Sequence, residues 1–259
     1  MKILSNISSF SDVEAYDAST LNCFAFRHGY DVRHGLSLSL GNMVRGYGFD
    51  LQGIHFNNSE CAYIAGAFSD GTDAHLAIQR QLAACDNGYA AKKSIRKSHD
   101  SEKRDDWESF NVEWMRYVVW QKCLGNEEFR RLLSAFPKNA VIIEDSTFQR
   151  GRTATLWGTR NDELKKRLNA LRKDLKAQGK CKAAIKRELD RMRLGEWAAV
   201  GQFVGQNLMG KILMGKILMA CREALENGSD PGIDYALLSS KRIHILGKEL
   251  TFNQYFTAA

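Results

Sequence analysis

Proline is nearly absent from this 259-residue sequence: only Pro137 and Pro231 occur. That excludes a proline-rich linker and leaves long stretches free to form helix. Cysteine pairing is absent too. Cys23, Cys61, Cys85, Cys123, Cys181 and Cys221 stand singly, with no C-x-x-C. A zinc ribbon or a secreted disulfide framework is therefore not indicated, and free thiols in a reducing cytoplasm are expected. The six histidines, His28, His34, His55, His75, His99 and His244, show no ligand spacing, so neither a metal nor a cofactor is predicted. No window approaches about 18 uninterrupted apolar residues. The opening MKILSNISSFSDVEAYD lacks the apolar core of a signal peptide. These absences predict a soluble, cytoplasmic protein with no membrane partner.

What is present is an ordinary hydrophobic content of 44% and a net charge of +7, so a real core and an anionic partner are expected. Residues 1–56 hold short apolar pieces, CFAF, LSLSL and YGFDLQGIHF, separated by Gly and Asn. They read as short strands, with LQG turning a hairpin between FDL and IHF. From Asn57 onward helical periodicity dominates. Residues 73–86 place Leu76, Ile78, Leu82 and Ala83 on one face. Residues 106–123 carry Trp107, Phe110, Trp114 and Val118 at steps of three and four, which predicts an amphipathic helix crossing the core. NEEFRRLLSAF continues as helix, and NAVIIE is the clearest strand, ending on Glu144.

Residues 160–194 change character. Leu164, Leu168, Leu171 and Leu175 repeat at helical spacing, Gln178-Gly179 interrupts them, and Ile185, Leu189 and Met192 resume. This predicts a helical hairpin with one narrow apolar stripe. It holds 13 Lys/Arg against five Asp/Glu, a local charge of +8, so the remainder of the chain is about neutral. Lys165, Lys166, Arg172, Lys173, Lys182, Lys186 and Arg187 suit a phosphate backbone, and KKSIRK at 92–97, with Lys92 and Lys93, is a second such patch. The competing reading is a solvated, mixed-charge helix pair. The duplication GKILMGKILM at 210–219 advances a helix by roughly 140° beyond a full turn, so its copies cannot share a face and imply no solenoid.

Taken in order, GFDLQGIHFNNSECAYIAGAF, RDDWESF, VIIEDS, LWG and GQNLMGKILM followed by an arginine resemble the successive motifs of the NADAR (YbiA-like) family, across residues 40–225. The resemblance implies a mainly α-helical fold with a few short strands and cleavage of N-glycosidic bonds. Members act on phosphoribosylated pyrimidine intermediates or remove ADP-ribose from guanine in nucleic acid. It also implies one domain over 1–259, with an N-terminal extension at 1–40, the inserted basic hairpin at 160–194 and a C-terminal extension at 226–259. The motif glutamate falls on Glu60, the upstream asparagine on Asn42 and the aspartate-tryptophan pair on Asp106-Trp107. Lys122, Glu144, Trp157-Gly158 and Asn207 take the remaining positions. Two positions depart from the family pattern: Ala67 stands where relatives carry a lysine seven residues after the glutamate, and Ala154 where they carry an aspartate. Chemistry that needs that lysine as a covalent partner cannot run unaltered.

Breaking a C–N glycosidic bond builds oxocarbenium character on the sugar, so a carboxylate near the anomeric carbon and a donor for the departing base are required. Glu60, beside the apolar run AYIAGAF, is the first candidate for the carboxylate. Its competing role is a capping box, Asn57-x-x-Glu60. Asp106, the second catalytic candidate, also suits the start of its helix structurally. Trp107 and Trp157 suit stacking on a base or burial in the core. Arg104 and Lys122 suit a phosphate, Asn207 a sugar or base edge or else a helix cap, and Asp145 stands ready to replace the acid missing at Ala154. The leading expectation is base excision from DNA, the partner. The alternatives are removal of ADP-ribose, hydrolysis of a free phosphoribosyl or ADP-ribosyl metabolite, or an inactive nucleic-acid-binding module.

Overall fold

The computed structural model describes residues 12–20, 22–26, 30–31, 36–151, 153–214 and 232–252. The second GKILM copy and Arg222 lie outside these residues, as do His28, His34 and Cys221. In chain order the elements are strands β1 (Glu14–Asp17), β2 (Cys23–Phe26), β3 (Tyr30–Asp31), β4 (Leu36–Ser37), β5 (Phe49–Leu51) and β6 (Ile54–Phe56), then helices α1 (Ser59–Gly66), α2 (Asp73–Ala83) and the single turn α3 (Gly88–Ala90). A π-helical turn, Ala91–Arg96, continues α3, and a 3₁₀ turn, Trp107–Ser109, precedes α4 (Asn111–Gly125) and α5 (Glu127–Ser134). Next come β7 (Val141–Glu144), α6 (Thr153–Trp157), α7 (Asp162–Ala177), α8 (Lys182–Leu194), β8 (Gln202–Gly205) and α9 (Leu208–Met214). The last pieces are a helix at Tyr235–Ser240 and the short hairpin β9 (His244–Ile245) with β10 (Lys248–Glu249). Helix predominates and each strand has a single partner.

The chain divides into two compact units, Met1–Gly41 with Ala135–Gly215, and Asn42–Ser134 with Lys216–Ala259. In the first, β2 and β7 pair in parallel, Cys23 opposite Val141 through Phe26 opposite Glu144, and β1 pairs antiparallel with β8. The predicted hairpin forms as α7 and α8. Asn161 caps α7 by accepting from the Leu164 amide, and the chain reverses at Gln178 and Gly179. Its stripe, Leu164, Leu168, Ile185 and Leu189, closes over Cys23, Ile143 and Phe203. Charged residues thus stay outside while the leucines supply this unit's core.

In the second unit β5 and β6 form the predicted hairpin, turning at Gln52 and Gly53, whose φ angles of 50° and 86° are those of a tight primed turn. Thr72 caps α2 by accepting from the His75 amide. The expected helix at 106–123 begins later, at Asn111, because Phe110 (φ −138°, ψ 0°) leaves helical geometry and Trp107–Ser109 winds separately. From there α4 is buried on most of its circumference, through Trp114, Tyr117, Val118, Val119 and Trp120. It is a central helix more than a surface amphipathic one. The thiol expectation fails at Cys123, which is disulfide-bonded; Cys61, Cys85 and Cys181 are free. Among the described residues no helix is long and apolar enough to cross a membrane.

Candidate active site

Helix α1 starts at tandem asparagines, and its cap is Asn58, not Asn57. Asn58 lies extended (φ −160°, ψ 156°) and its Oδ1 accepts from the Cys61 amide at 3.0 Å. The capping box expected at Asn57 and Glu60 is therefore not formed. Glu60 instead occupies the first turn, 5% exposed, and its carboxylate has no backbone partner among the described residues. The group nearest in charge is Lys92, whose Nζ stands 3.8 Å from Oε1. Burial pushes the Glu60 carboxyl above its usual range, and the Lys92 and Arg96 charges partly offset it. A helix N-terminus also favours the anion.

Lys92 and Arg96 both come from the π-helical turn Ala91–Arg96, which lies against α1. Such turns are rare and concentrate at functional sites. Its approach depends on Gly88. A Cβ there would stand 3.0 Å from Asn58 Oδ1, from Glu60 Cβ and from Met43 Cα. Asn58, Met43, Glu60 and Gly88 therefore form one tight cluster. Asn58 Nδ2, buried inside it, has no hydrogen-bond partner among the described residues, an arrangement that costs free energy unless an acceptor fills the place.

Beside Glu60 in sequence, Ser59 joins Asn42 and Lys122, two residues that the sequence resemblance singles out. Its hydroxyl donates to Asn42 Oδ1 at 3.0 Å and accepts from Lys122 Nζ at 3.2 Å. Lys122 is 1% exposed and its Nζ lies 3.8 Å from the centre of the Phe129 ring. Burial lowers its pKa to about 7. The sequence suits Lys122 to a phosphate, with a solvated side chain as the competing reading; the structure places the amine in the core. A signal was present: Lys122 follows Trp114 and Val118 at steps of four, on the buried face of α4.

Asp106 does not open a helix proper; it precedes the 3₁₀ turn, and its carboxylate joins Arg104 Nε at 2.6 Å and Lys241 Nζ at 3.2 Å. Burial raises its pKa, but the Arg104 and Lys241 hydrogen bonds outweigh that and hold the carboxyl below its usual range. Arg104 further donates to Ser69 Oγ at 3.0 Å and to the Lys241 carbonyl at 2.8 Å. Arg104 and Asp106 thus tie loops together. Trp107 is 3% exposed and packs on Tyr63 and Phe110, in the core.

Three of the remaining motif residues meet in the other unit. Asn207 (φ 53°) accepts from the Glu144 amide and donates to the Ile142 carbonyl, each at 3.0 Å. Both ends of its side-chain amide bond the edge of β7, so its side chain ties α9 to that strand. Gly158 lies so close to β7 that a Cβ would fall 2.7 Å from the Glu144 carbonyl oxygen. Glu144 and Trp157 are half-buried. Asp145 is buried and paired with Arg193 of α8, and its Oδ1 accepts from the Thr147 amide. The pair borders a cavity of about 20 Å³, lined also by Leu38, Leu164 and Phe203. That volume holds one water and no nucleoside.

On the hairpin, Arg167 pairs with Glu163 and Arg191 with Glu188, and Arg172 lies over the Phe148 ring. Lys165, Lys166, Lys173, Lys182, Lys186 and Arg187 carry no ion pair among the described residues, and all but half-buried Lys165 are exposed. Among the described residues no three His, Cys, Asp or Glu side chains gather as metal ligands. No family model matches the chain, and no curated protein matches it.

Proposed function

We propose that this chain is an N-glycosidase of the NADAR type that hydrolyses the bond between base and sugar of a modified nucleotide in DNA, with Glu60 as its carboxylate. The observation that supports this most is the state of Glu60: buried in the first turn of α1, bonded to no amide among the described residues, and facing Lys92. A carboxylate so withdrawn from water exerts a strong field on a developing oxocarbenium ion and can orient the attacking water. The Lys92 ammonium is the candidate donor for the departing base. Asp106, held as an anion by Arg104 and Lys241, is no acid at neutral pH and takes a structural part. Ala67, buried at the end of α1, offers no amine for a covalent sugar adduct, which favours direct attack by water. The unpaired cations of α7 and α8 supply charge for a phosphate backbone.

The test is incubation with normal and modified DNAs, reading abasic sites and released base by mass spectrometry, with Glu60→Gln as control. Release that the control lacks supports the proposal. Cleavage of a free nucleotide with none from DNA moves the substrate to a small metabolite. DNA binding with no release from any substrate leaves a binding module.

A further inference from the structure

The surface beside Glu60 carries a feature that the sequence motifs do not announce. Among the described residues whose burial is defined, Tyr89 is the one aromatic side chain that stands fully exposed, at 60%. The other aromatic rings among the described residues whose burial is defined are buried or half-buried, so an exposed ring on a short turn calls for a reason. Its backbone is fixed: Asn87 caps α3 by accepting from the Tyr89 and Ala90 amides at 3.0 and 3.2 Å. It follows Gly88, where a Cβ would stand 3.0 Å from Asn58 Oδ1 and Glu60 Cβ, so the turn packs against the start of α1. Lys93 Nζ lies 5.7 Å from the centre of the Tyr89 ring. Lys92, Lys93, Arg96 and Lys97 follow within eight positions, and among the described residues only Lys92 of the four makes an ion pair, with Glu60.

We infer that Tyr89 is a stacking platform for a nucleotide of a single-stranded or locally opened DNA, with Lys93 and Lys97 on the adjoining phosphates. The inference rests on the proposed N-glycosidase reading and deepens it by naming the face on which the strand lies. A ring bordered by cations matches the two chemistries of a nucleotide, a flat base and an anionic link, and stacking tolerates any base. A duplex conceals its base faces, so this platform acts on a nucleotide that has left the stack, as a glycosylase substrate must. The platform, the π-helical turn and Glu60 all belong to one unit, and Gly88 links them directly.

Fluorescence anisotropy with a labelled thymidine 20-mer, single-stranded and then annealed to its complement, tests this with the full chain. Tyr89→Ala is expected to weaken single-strand binding about ten-fold while leaving the salt dependence unchanged. Tyr89→Phe, which keeps the ring, is expected to bind within about two-fold of the parent chain. Lys93→Gln is expected to flatten the slope of log affinity against log salt by about 0.7, the value for one phosphate on a single strand. Anisotropy reads binding without turnover, which separates this result from the release assay. Equal binding by Tyr89→Ala, equal losses in the Ala and Phe variants, or no single-strand binding at low salt would each overturn the inference. None of these outcomes bears on whether Glu60 cleaves a free nucleotide.

Discussion

Glu60 and Asp106 begin as equals in the sequence, two acids near the starts of apolar helices, and the structure treats them oppositely. Glu60 is buried with one cation 3.8 Å away and a raised pKa. The Asp106 side chain is 38% exposed, holds two cations at hydrogen-bonding distance and has a lowered pKa. An acid that is well paired is spent on holding the fold, whereas one that is buried and underpaired stores free energy available for binding or catalysis. The difference turns on their neighbours: a π-helical turn holds Lys92 in a loose ion pair at 3.8 Å, while Arg104, two residues before Asp106, reaches it at 2.6 Å.

The largest expected effect is on the first of the pair. Glu60→Gln should lower base release by about a thousand-fold, read by mass spectrometry at fixed enzyme concentration. The same change should leave thermal stability equal or higher. Because the folded-state pKa of Glu60 is raised, the folded protein holds that proton more tightly than the unfolded chain. Stability is therefore lost as pH climbs from 4.5, the ordinary value, through the raised one. Glu60→Gln should abolish that decline in a series of denaturant titrations. A variant that unfolds several degrees earlier would instead make Glu60 a structural partner of Lys92 and erase the contrast. The nearby buried amine gives a second, opposite pH signature. Lys122, lowered to about 7 against 10.5 when exposed, binds its proton more weakly in the folded state, so its contribution rises between those values and is least favourable below about 7. Comparing the parent chain with Lys122→Met across pH 6–10 should show that rise in the parent alone.

Local signals were legible from sequence, and long-range ones were not. The β5–β6 turn, the strand at 141–144 and the leucine stripe of α7 and α8 are each written in a few consecutive residues, through turn chemistry or periodicity. The parallel pairing of β2 with β7 joins segments far apart in the chain and has no local mark. Two adjacent asparagines can each cap α1, and only the extended backbone of Asn58, with Gly88 pressing beside it, decides between them. The π-helical turn has no local mark in the sequence, so Lys92 and Arg96 read as a basic patch with no sign that their charges also act on Glu60. Asn207 carries a positive φ and bonds β7 through both amide ends, a role that depends on tertiary neighbours alone.

A smaller change sharpens the contrast from the backbone side. Gly88→Ala places a methyl 3.0 Å from Asn58 Oδ1, Glu60 Cβ and Met43 Cα, with backbone and capped side chains that have little room to yield. It should cost about 1–2 kcal/mol of stability and, by shifting the carboxylate, about ten-fold in base release. Denaturant unfolding and the release assay measure the two separately. Equal activity with lowered stability would show that the cluster supports the fold but does not aim Glu60.

The smallest effect belongs to Asp106, and it is the one that decides whether the two acids truly differ. Asp106→Asn keeps the shape and removes the charge, leaving Arg104 with Ser69 and the Lys241 carbonyl as partners. Because the pair is partly exposed, water replaces much of the lost attraction, and the expected cost is about 1 kcal/mol. The sign with pH follows from the lowered folded-state pKa. The stabilisation is present above 3.8, the ordinary value, and is lost as pH falls through the depressed one, so parent and variant should converge in acid. Base release should fall less than ten-fold at neutral pH. A loss comparable to that of Glu60→Gln would mean that the Asp106 carboxylate reaches the substrate despite its two cations, and the division between a spent acid and an available one would have to be abandoned.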